Sequence, residues 1–398
     1  MKIRSQSLRA AALIAGLVLL GCGGGDGGGT PATSAPVAAP PADAFPVKIA
    51  PRWAELYRVA YRPGFAEVVV RAPWQSEGDG LRYRLRPRGS AAPPAEAGVR
   101  DFEVPLRSVA TTSTTELAPL VALGMAETWV GHSELDFVSS PLLRQRIAAG
   151  KVREIGAPTD LETLLALHPD ALFADFLSRP ELDRLALAEQ AGTGVFLVPS
   201  FLEKAPLGRA EWVLLLSIFF GREQEAIAHL EDVARRYLEL RARVAAETTK
   251  RPTVFTGGPY QNVWHVPGGR SFVARLLEDA GAAYVWREEP SAGALPLDLE
   301  KVFERAGGAD FWLYPSHWRS LREIAAVDSR LSRFAAWQNG RVIAADLRLL
   351  PSKANDFWEE GAARPDLVLE DLVAILHPEL LPDHRFHYHR PLAETAPP

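Results

Sequence analysis

The chain has 398 residues, 47% of them hydrophobic, which is enough to bury one large or two medium cores. Its formal net charge is −5, and removal of the N-terminal leader described next would leave 41 basic residues against 49 acidic ones. This acidic balance argues against nucleic acid as a partner. The single cysteine, Cys22, excludes an internal disulfide and a thiolate metal cluster.

Residues 1–21 have the pattern of a signal peptide. Basic residues precede an apolar run from Ala10 to Leu20, which is too short to span a bilayer of about 30 Å. The run ends in Leu-Leu-Gly-Cys22, which resembles the lipidation signal of bacterial lipoproteins. We therefore expect the leader to be removed and acyl chains on Cys22 to anchor the protein. The alternative is an ordinary signal peptide that happens to contain a cysteine.

Two further segments precede the main part of the chain. Residues 22–45 are mostly Gly, Pro, Ala, Ser and Thr, a composition that predicts a flexible tether. Residues 46–104 predict a small β-rich segment, punctuated by Gly and Pro, in which the strands form an antiparallel sheet. The predicted strands are Leu56–Tyr61, Ala66–Ala72 and Leu81–Arg86.

Residues 105–208 predict an N-terminal α/β lobe, because strand and helix patterns alternate there. Two capping boxes mark helix starts, one from Ser113 to Glu116 and one from Thr159 to Glu162. The predicted strands are Ser108–Thr111, Thr128–Gly131, Val152–Ile155, Ala171–Ala174 and Val195–Val198.

Residues 209–251 predict linking helices, and the longest of them covers Arg222–Lys250 without a Gly or Pro. Its apolar residues recur at the spacing of one helical face. They are Ile227, Leu230, Ala234, Tyr237 and Val244. We expect a rigid helix that joins two lobes.

Residues 252–392 predict a C-terminal α/β lobe. Strand Thr253–Thr256 leads to Gly257-Gly258, and we expect Trp264-His265 to lie in the loop that follows. The stretch that begins at Asp298-Leu-Glu repeats the pattern that begins at Asp160-Leu-Glu in the first lobe. The predicted fold is therefore α/β, with two Rossmann-like lobes joined by a single long rigid α-helix and preceded by a small β segment.

The familiar catalytic motifs are absent from the sequence: it has no G-x-S-x-G elbow, no phosphate-binding P-loop and no H-E-x-x-H. The tail residues His384, His387 and His389 could bind a transition metal, but the sequence places no carboxylate cluster beside them. We therefore predict no catalytic residue, no cofactor and no metal ligand.

Aromatic and polar side chains follow several predicted strands, as expected for a concave, mostly apolar ligand site. The alternative for each aromatic residue is an ordinary place in the core. The candidate ligand-binding residues are Ser113, Thr114, Trp129, His132, Tyr260, Trp264, His265, Tyr314, Trp318 and Trp358.

These patterns together resemble a known family, the substrate-binding proteins of bacterial ABC importers for iron chelates and cobalamin. The resemblance covers roughly Val104 to Leu392. Its C-terminal stretches resemble the longer lipoprotein members of the family. The stretches that carry it are Val109–Glu116, Trp129–Ser133, Asp160–Asp170, Trp264–Ser271, Asn355–Gly361, Arg364–Asp366 and His377–Glu379. Residues 46–104 and the histidine-containing tail depart from the family pattern.

The resemblance implies a monomer that binds a ferric siderophore or a cobalamin-type chelate between its lobes and catalyses no reaction. It implies delivery to an ABC permease dimer with its ATPase, and an extracytoplasmic location on a lipid anchor. By position in the family pattern, Glu162 and Glu278 would dock on the permease, although each could also be an ordinary residue of a helix surface.

The sequence leaves two other functions open. A bare Zn²⁺ or Mn²⁺ ion would need ligands such as His132, His265 and His317 to converge. A hydrolase would need Ser113 or Ser316 as a nucleophile beside a histidine base.

Overall fold

A computed structural model of the chain describes residues 43–71, 80–175 and 179–395, without the side chains of residues 179–182. The predicted signal peptide, Cys22 and all but the last three residues of the predicted tether lie outside the described residues. In the part of the chain that is described, no helix has both the length and the apolar character needed to cross a membrane.

An N-terminal sheet comes first, with the strand order β1-β2-β3-β4. Its strands are β1 (Tyr57–Arg62), β2 (Phe65–Val70), β3 (Leu81–Pro87) and β4 (Val99–Val104). The first three pair antiparallel as predicted, but β4, which was not predicted, pairs parallel with β3. The prediction of an antiparallel sheet therefore holds for the three predicted strands and not for β4. The connection 88–98 is long enough for a return crossover, whereas a tight hairpin would have forced antiparallel pairing.

This sheet shares a hydrophobic core with the lobe that follows it. The ring centroids of Tyr83 and Phe196 are 4.6 Å apart, and those of Phe102 and Phe219 are 5.5 Å apart. The N–H of Leu197 donates to the Tyr83 hydroxyl at 3.2 Å. The small β segment is thus packed onto the N-terminal lobe.

The N-terminal lobe has a parallel sheet in the order β7-β6-β5-β8-β9. Its elements are β5 (Val109–Thr111), α1 (Leu117–Ala122), β6 (Trp129–His132), α2 (Pro141–Ala148), β7 (Arg153–Glu154), α3 (Leu161–Leu167), β8 (Ala171–Ala174), α4 (Arg179–Gln190) and β9 (Val195–Leu197).

One of the two predicted capping boxes forms, whereas the prediction of the other, from Thr159 to Glu162, is wrong. Ser113 and Glu116 form the expected reciprocal box, which opens a 3-10 turn leading into α1. At α3 the cap is Asp160, one residue later than predicted, and its carboxylate accepts from the N–H groups of Glu162 and Thr163. Thr159 is buried instead, so it is the residue before the cap that packs inward.

Linking helices connect the lobes, namely α5 (Pro206–Ala210), α6 (Trp212–Ile218) and α7 (Glu223–Glu247). Helix α7 is the predicted strut, and its 25 residues run without a break. At about 1.5 Å per residue, it is about 37 Å long. Leu230, Ala234, Tyr237 and Val244 are buried as its spacing predicts, whereas Ile227 is half-buried.

The C-terminal lobe has a sheet in the order β13-β10-β15-β16-β17, parallel except for β17, and a small antiparallel sheet, β11-β12-β14. Its elements are β10 (Thr253–Thr256), β11 (Pro259–Tyr260), β12 (Val263–Pro267), α8 (Phe272–Asp279), β13 (Ala283–Tyr284), β14 (Ala294–Leu297), α9 (Leu299–Ala306), β15 (Phe311–Leu313), α10 (Leu321–Val327), α11 (Ala335–Gln338), β16 (Val342–Ala344), α12 (Asp356–Ala363), α13 (Pro365–Leu376) and β17 (Arg390–Pro391).

The prediction that Trp264 and His265 lie in a loop is wrong, because both belong to β12. Their strand alternates, with Trp264 and Val266 buried and His265 exposed, and it pairs with β14. Period-two alternation of this kind is typical of a strand with one buried face. The flanking glycines therefore bracket a strand and not a loop.

The first residues of the N-terminal segment are held by a buried glutamate between α5 and α6. The carboxylate of Glu211, which is 1% exposed, accepts from the N–H groups of Arg52, Trp53 and Ala54 at 2.6–2.7 Å. Such charge-assisted bonds are stronger than neutral ones. The neighbouring Glu203 accepts from Glu55 and Leu56 in the same way.

Glu211→Ala should destabilise the protein by about 3 kcal/mol, because it leaves three N–H groups without their acceptor. Urea unfolding would measure the loss, and limited proteolysis should show faster cleavage within residues 43–56. Glu239→Ala, at an exposed position on α7, is the control and should change stability by less than about 0.5 kcal/mol. Equal stabilities of the two variants would contradict the anchoring role of Glu211.

Candidate functional site

The carboxyl ends of parallel strands are where α/β proteins commonly bind ligands. In the N-terminal lobe they lead to Thr112, Ser133 and Asp175. In the C-terminal lobe they lead to Gly257 and Tyr314. Each lobe therefore presents one edge made of loops and helix starts.

Helix α12 lies between these two edges. It packs against the 3-10 turn Thr114–Glu116 and α1, which follow β5. The ring centroid of its Phe357 lies 5.6 Å from that of Tyr314, which follows β15. The two carboxyl edges thus lie on either side of α12, and the cleft between the lobes is our candidate site.

A buried carboxylate of α12 joins the lobes. Glu359, which is 2% exposed, accepts from the N–H and the hydroxyl of Ser139 at 2.6 and 2.7 Å, and from the N–H of Ser140 at 3.0 Å. Burial raises the pKa of Glu359, although the bonds from the two serines oppose this shift. We call this group the inter-lobe latch. Separating the lobes here would expose a desolvated acid and its donors.

A cavity of about 520 Å³ adjoins the latch, within the size range of small-molecule sites. Its apolar wall includes Val121 and Leu142, and its polar wall includes Arg348. The Arg348 guanidinium is bonded to Asp356 at 2.7 Å and to Glu360 at 3.0 Å, so its charge is already balanced. None of the cavity's lining residues is among the ligand-binding residues predicted from the sequence.

The edge of the N-terminal lobe contains a buried acid. The carboxylate of Glu116 accepts from the N–H groups of Thr112 and Ser113. The hydroxyl of Thr112 donates to the carboxylate of Asp175 at 3.0 Å. Burial raises the pKa of Glu116 well above its usual value, the charge of Asp175 adds to this, and the two backbone bonds oppose it. Ser113 and Thr114, both predicted site residues, are half-buried at this edge.

Two other predicted residues of this lobe lie beneath the edge, inside the core. Trp129 is fully buried, and its indole N–H donates to the Thr111 hydroxyl at 2.9 Å. His132 is also buried, with its Nδ1 atom 2.7 Å from the same hydroxyl. Burial lowers the pKa of His132 to about 4, so its ring is neutral at pH 7. In this conformation neither ring has a surface open to a ligand.

The predicted residues of the C-terminal lobe divide into exposed and buried groups. Tyr260 is 65% exposed and Trp358 is 62% exposed, and His265 is also exposed. Trp264 is fully buried, with its indole N–H donating to the carbonyl of Thr256, and Trp318 is buried.

Tyr314, the remaining predicted residue, is half-buried at the carboxyl end of β15 and has a positive φ of 55°. Its hydroxyl lies 3.2 Å from Nε2 of His389. The tyrosine is therefore connected both to α12, through Phe357, and to the C-terminal tail.

Sequence reasoning missed several residues near the cleft. Phe137 is 43% exposed and follows β6, so the rule that selected aromatics after strands would have found it. The latch residues Ser139, Ser140 and Glu359 carry no comparable signal, because their pairing spans about 220 residues of sequence. Only the folded chain brings them together.

The permease-docking candidates are both at the surface. Glu162 is exposed in the first turn of α3, next to its cap Asp160. Glu278 is exposed near the end of α8. Neither side chain is needed for packing.

The geometry does not favour the two open alternatives. In the described residues, the group of three metal-ligating side chains that lie close together is Glu370, His384 and His387, which includes none of the three histidines considered for a cleft metal. The Ser316 hydroxyl lies 3.2 Å from Nδ1 of the adjacent His317, both residues are exposed, and no carboxylate bond to that histidine is found in the described part of the chain. A nucleophile–base pair would need such an orienting group.

His132 should make the protein lose stability in acid. Its folded pKa of about 4 lies below the unfolded value near 6.5, so the unfolded chain binds the extra proton as pH falls through this window. The loss attributable to His132 should reach about 3 kcal/mol, at about 1.4 kcal/mol for each pH unit. The melting temperature should therefore fall less between pH 7 and pH 4.5 in His132→Gln than in the parent.

His317→Gln is the matched control for this measurement, because its ring is exposed. It should retain the full pH dependence of the parent. A His132→Gln variant with the parent's pH dependence would contradict the burial argument.

Comparisons with known proteins agree with this architecture. Residues 109–349 match the family described as periplasmic binding protein. An uncharacterized lipoprotein of Methanocaldococcus jannaschii is 26% identical over 301 residues, which are 72% of this chain and 69% of that protein.

Solved structures share the fold. A possible iron-binding (periplasmic solute-binding) protein from Staphylococcus epidermidis is 16% identical with a TM-score of 0.53, covering 69% of this chain and 99% of that one. A periplasmic heme binding protein from Pseudomonas aeruginosa is 21% identical with a TM-score of 0.50, covering 69% and 93%. Both likenesses concern the fold alone. Because the family match spans more than half of the chain, this protein belongs to the periplasmic binding protein family.

Proposed function

We propose that the protein captures a ferric siderophore or a cobalamin-type chelate in the inter-lobe cleft and delivers it to an ABC permease with its ATPase. The observation that carries this proposal is the exposure of two large aromatic rings, Tyr260 and Trp358, at the carboxyl edge of the C-terminal lobe and on α12. Exposed aromatic surface beside a cleft favours a ligand that is large, partly apolar and flat in places.

The related structures support the same class of ligand. One is named as a heme binding protein and another as a possible iron-binding protein, so both names refer to iron or an iron-containing ligand. A bare metal ion fits the cleft less well, because His132 is buried and, among the residues that the structure describes, His265 and His317 are not grouped with further ligands.

The connection between the lobes favours small rather than large closure. Helix α7 is continuous, and the latch from Glu359 to Ser139 and Ser140 joins the lobes a second time. A single stiff helix with a second attachment resists hinge bending. The ligand would therefore enter a cleft that is largely formed before binding.

The location we propose is extracytoplasmic, with a monomer anchored by acyl chains on Cys22. The leader pattern before this cysteine supports the anchor, and so does the relative that is named as a lipoprotein. Two acyl chains would be enough for stable attachment to a membrane.

Fluorescence titration tests the ligand. A ferric siderophore, cobalamin or haem should quench the tryptophan emission of the purified protein with saturation at one ligand per chain. Trp358→Ala and Tyr260→Ala should each weaken binding about tenfold, which corresponds to about 1.4 kcal/mol of lost contact.

Phe386→Ala is the control, because this ring is also exposed, at 39%, but lies on the C-terminal tail. It should leave affinity unchanged. Absence of quenching with all three ligands would argue strongly against the proposal, as would equal affinities for the cleft variants and the control.

Permease docking is tested separately from ligand binding. Glu162→Ala and Glu278→Ala should bind ligand as the parent does, because both side chains are exposed on helices. With the cognate permease in liposomes, each should reduce stimulation of ATP hydrolysis several-fold, and the double variant should abolish it. Glu239→Ala, on the exposed face of α7, should stimulate normally. Full stimulation by the double variant would remove these residues from the docking surface.

A further inference from the structure

The C-terminal tail is folded back on α13 by one buried aspartate. The carboxylate of Asp371 accepts from the backbone N–H groups of His387, Tyr388 and His389 at 2.7–3.0 Å. It is also bonded to His384 Nε2 at 2.7 Å and to His389 Nδ1 at 2.9 Å. These five bonds position the histidines of the tail relative to the helix.

The tail thereby brings two histidines close to a glutamate of α13. One nitrogen of His384, one nitrogen of His387 and one carboxylate oxygen of Glu370 lie within 4.8 Å of one another. His387 Nε2 lies 3.4 Å from Oε2 of Glu370. All three residues are half-buried, so the group is accessible yet partly shielded from water. The sequence places no carboxylate cluster beside these histidines, and the fold brings Glu370 to them.

The partner of His384 adds a second feature of metal sites. With Nε2 of His384 protonated, its N–H donates a hydrogen bond to Asp371, which leaves the lone pair of Nδ1 available for a metal. A histidine that ligates a metal usually donates its other ring N–H to a carboxylate, which fixes both the tautomer and the ring orientation. Asp371 is fully buried and is itself fixed by the backbone bonds described above.

We propose that Glu370, His384 and His387 form a site for a divalent transition-metal ion of the Zn²⁺ class, separate from the ligand cleft. Two neutral imidazoles and one carboxylate suit Zn²⁺, with water as the fourth ligand. Zinc bonds of about 2.0–2.1 Å place ligand atoms about 3.3 Å apart. The three side chains need to approach by no more than about 1.5 Å, which rotation of the Glu370 side chain and its neighbours can provide.

A bound ion would connect the tail to α13 at a second point beside Asp371. The adjacent His389 bonds Tyr314, so the tail attached by the ion is the same segment that supports a residue at the edge of the cleft. The ion also offsets the negative charge of Glu370 and Asp371. The site therefore acts as a brace of the C-terminal lobe.

Competition of the purified, chelator-stripped protein with a fluorescent zinc indicator tests this site, with ZnSO₄ as the probe and MgCl₂ as the unreactive salt. One Zn²⁺ should bind per chain with a dissociation constant in the micromolar range or below. His387→Ala and Glu370→Gln should each weaken binding at least tenfold. Zn²⁺ should also raise the melting temperature of the parent but not of these variants.

His317→Ala and Glu300→Gln are the matched controls, because both positions are exposed and lie outside the cluster. They should bind Zn²⁺ as the parent does. The metal-free melting temperatures of all four variants should equal that of the parent, since the substituted side chains are at the surface or half-buried. Parent-like Zn²⁺ affinity in both cluster variants would overturn the proposal. Binding that requires millimolar Zn²⁺ would overturn it as well, because it would indicate an adventitious ion only.

Discussion

Buried carboxylates that accept hydrogen bonds from backbone N–H groups are the interaction on which this structure depends. Glu211 holds residues 52–54, Glu359 holds the loop at Ser139, and Asp371 holds the tail. Glu211 and Glu359 reach segments 158 and 220 residues away in sequence, whereas Asp371 reaches a tail 13–18 residues away. A charged acceptor makes such bonds strong, and its burial makes them costly to break. The two lobes supply the cores, whereas these acids join the N-terminal segment, the lobes and the tail.

The elements that could be predicted from sequence are those with strong local signals. The long helix α7 follows from an unbroken run with regular apolar spacing, and the Ser113 cap follows from side chains three residues apart. Parallel pairing of β4 with β3 could not be predicted in this way, because it depends on a crossover and not on local pattern. The partners of Glu211 and Glu359 are invisible for the same reason. A lone glutamate in sequence carries no sign of which N–H groups it will meet.

The burial of the predicted site residues could be foreseen only in part. Selecting aromatics that follow strands found the exposed Tyr260 and Trp358, but it also selected Trp129 and Trp264, which the fold buries. Tryptophan is both a frequent ligand contact and a large core residue, so its identity alone cannot separate the two environments. For Trp264 the alternation along β12 decides the matter, since every second residue of that strand faces the core.

Attachment of the N-terminal sheet to Glu203 and Glu211 has a kinetic consequence. The anchoring bonds join residues 147–159 positions apart, so these contacts close very long loops. Contacts of such high sequence separation form late, because the entropy of loop closure must be met first. We therefore expect these anchoring bonds to contribute little to the folding nucleus and much to the persistence of the finished fold. Weakening the sheet's attachment would speed unfolding far more than it would slow folding.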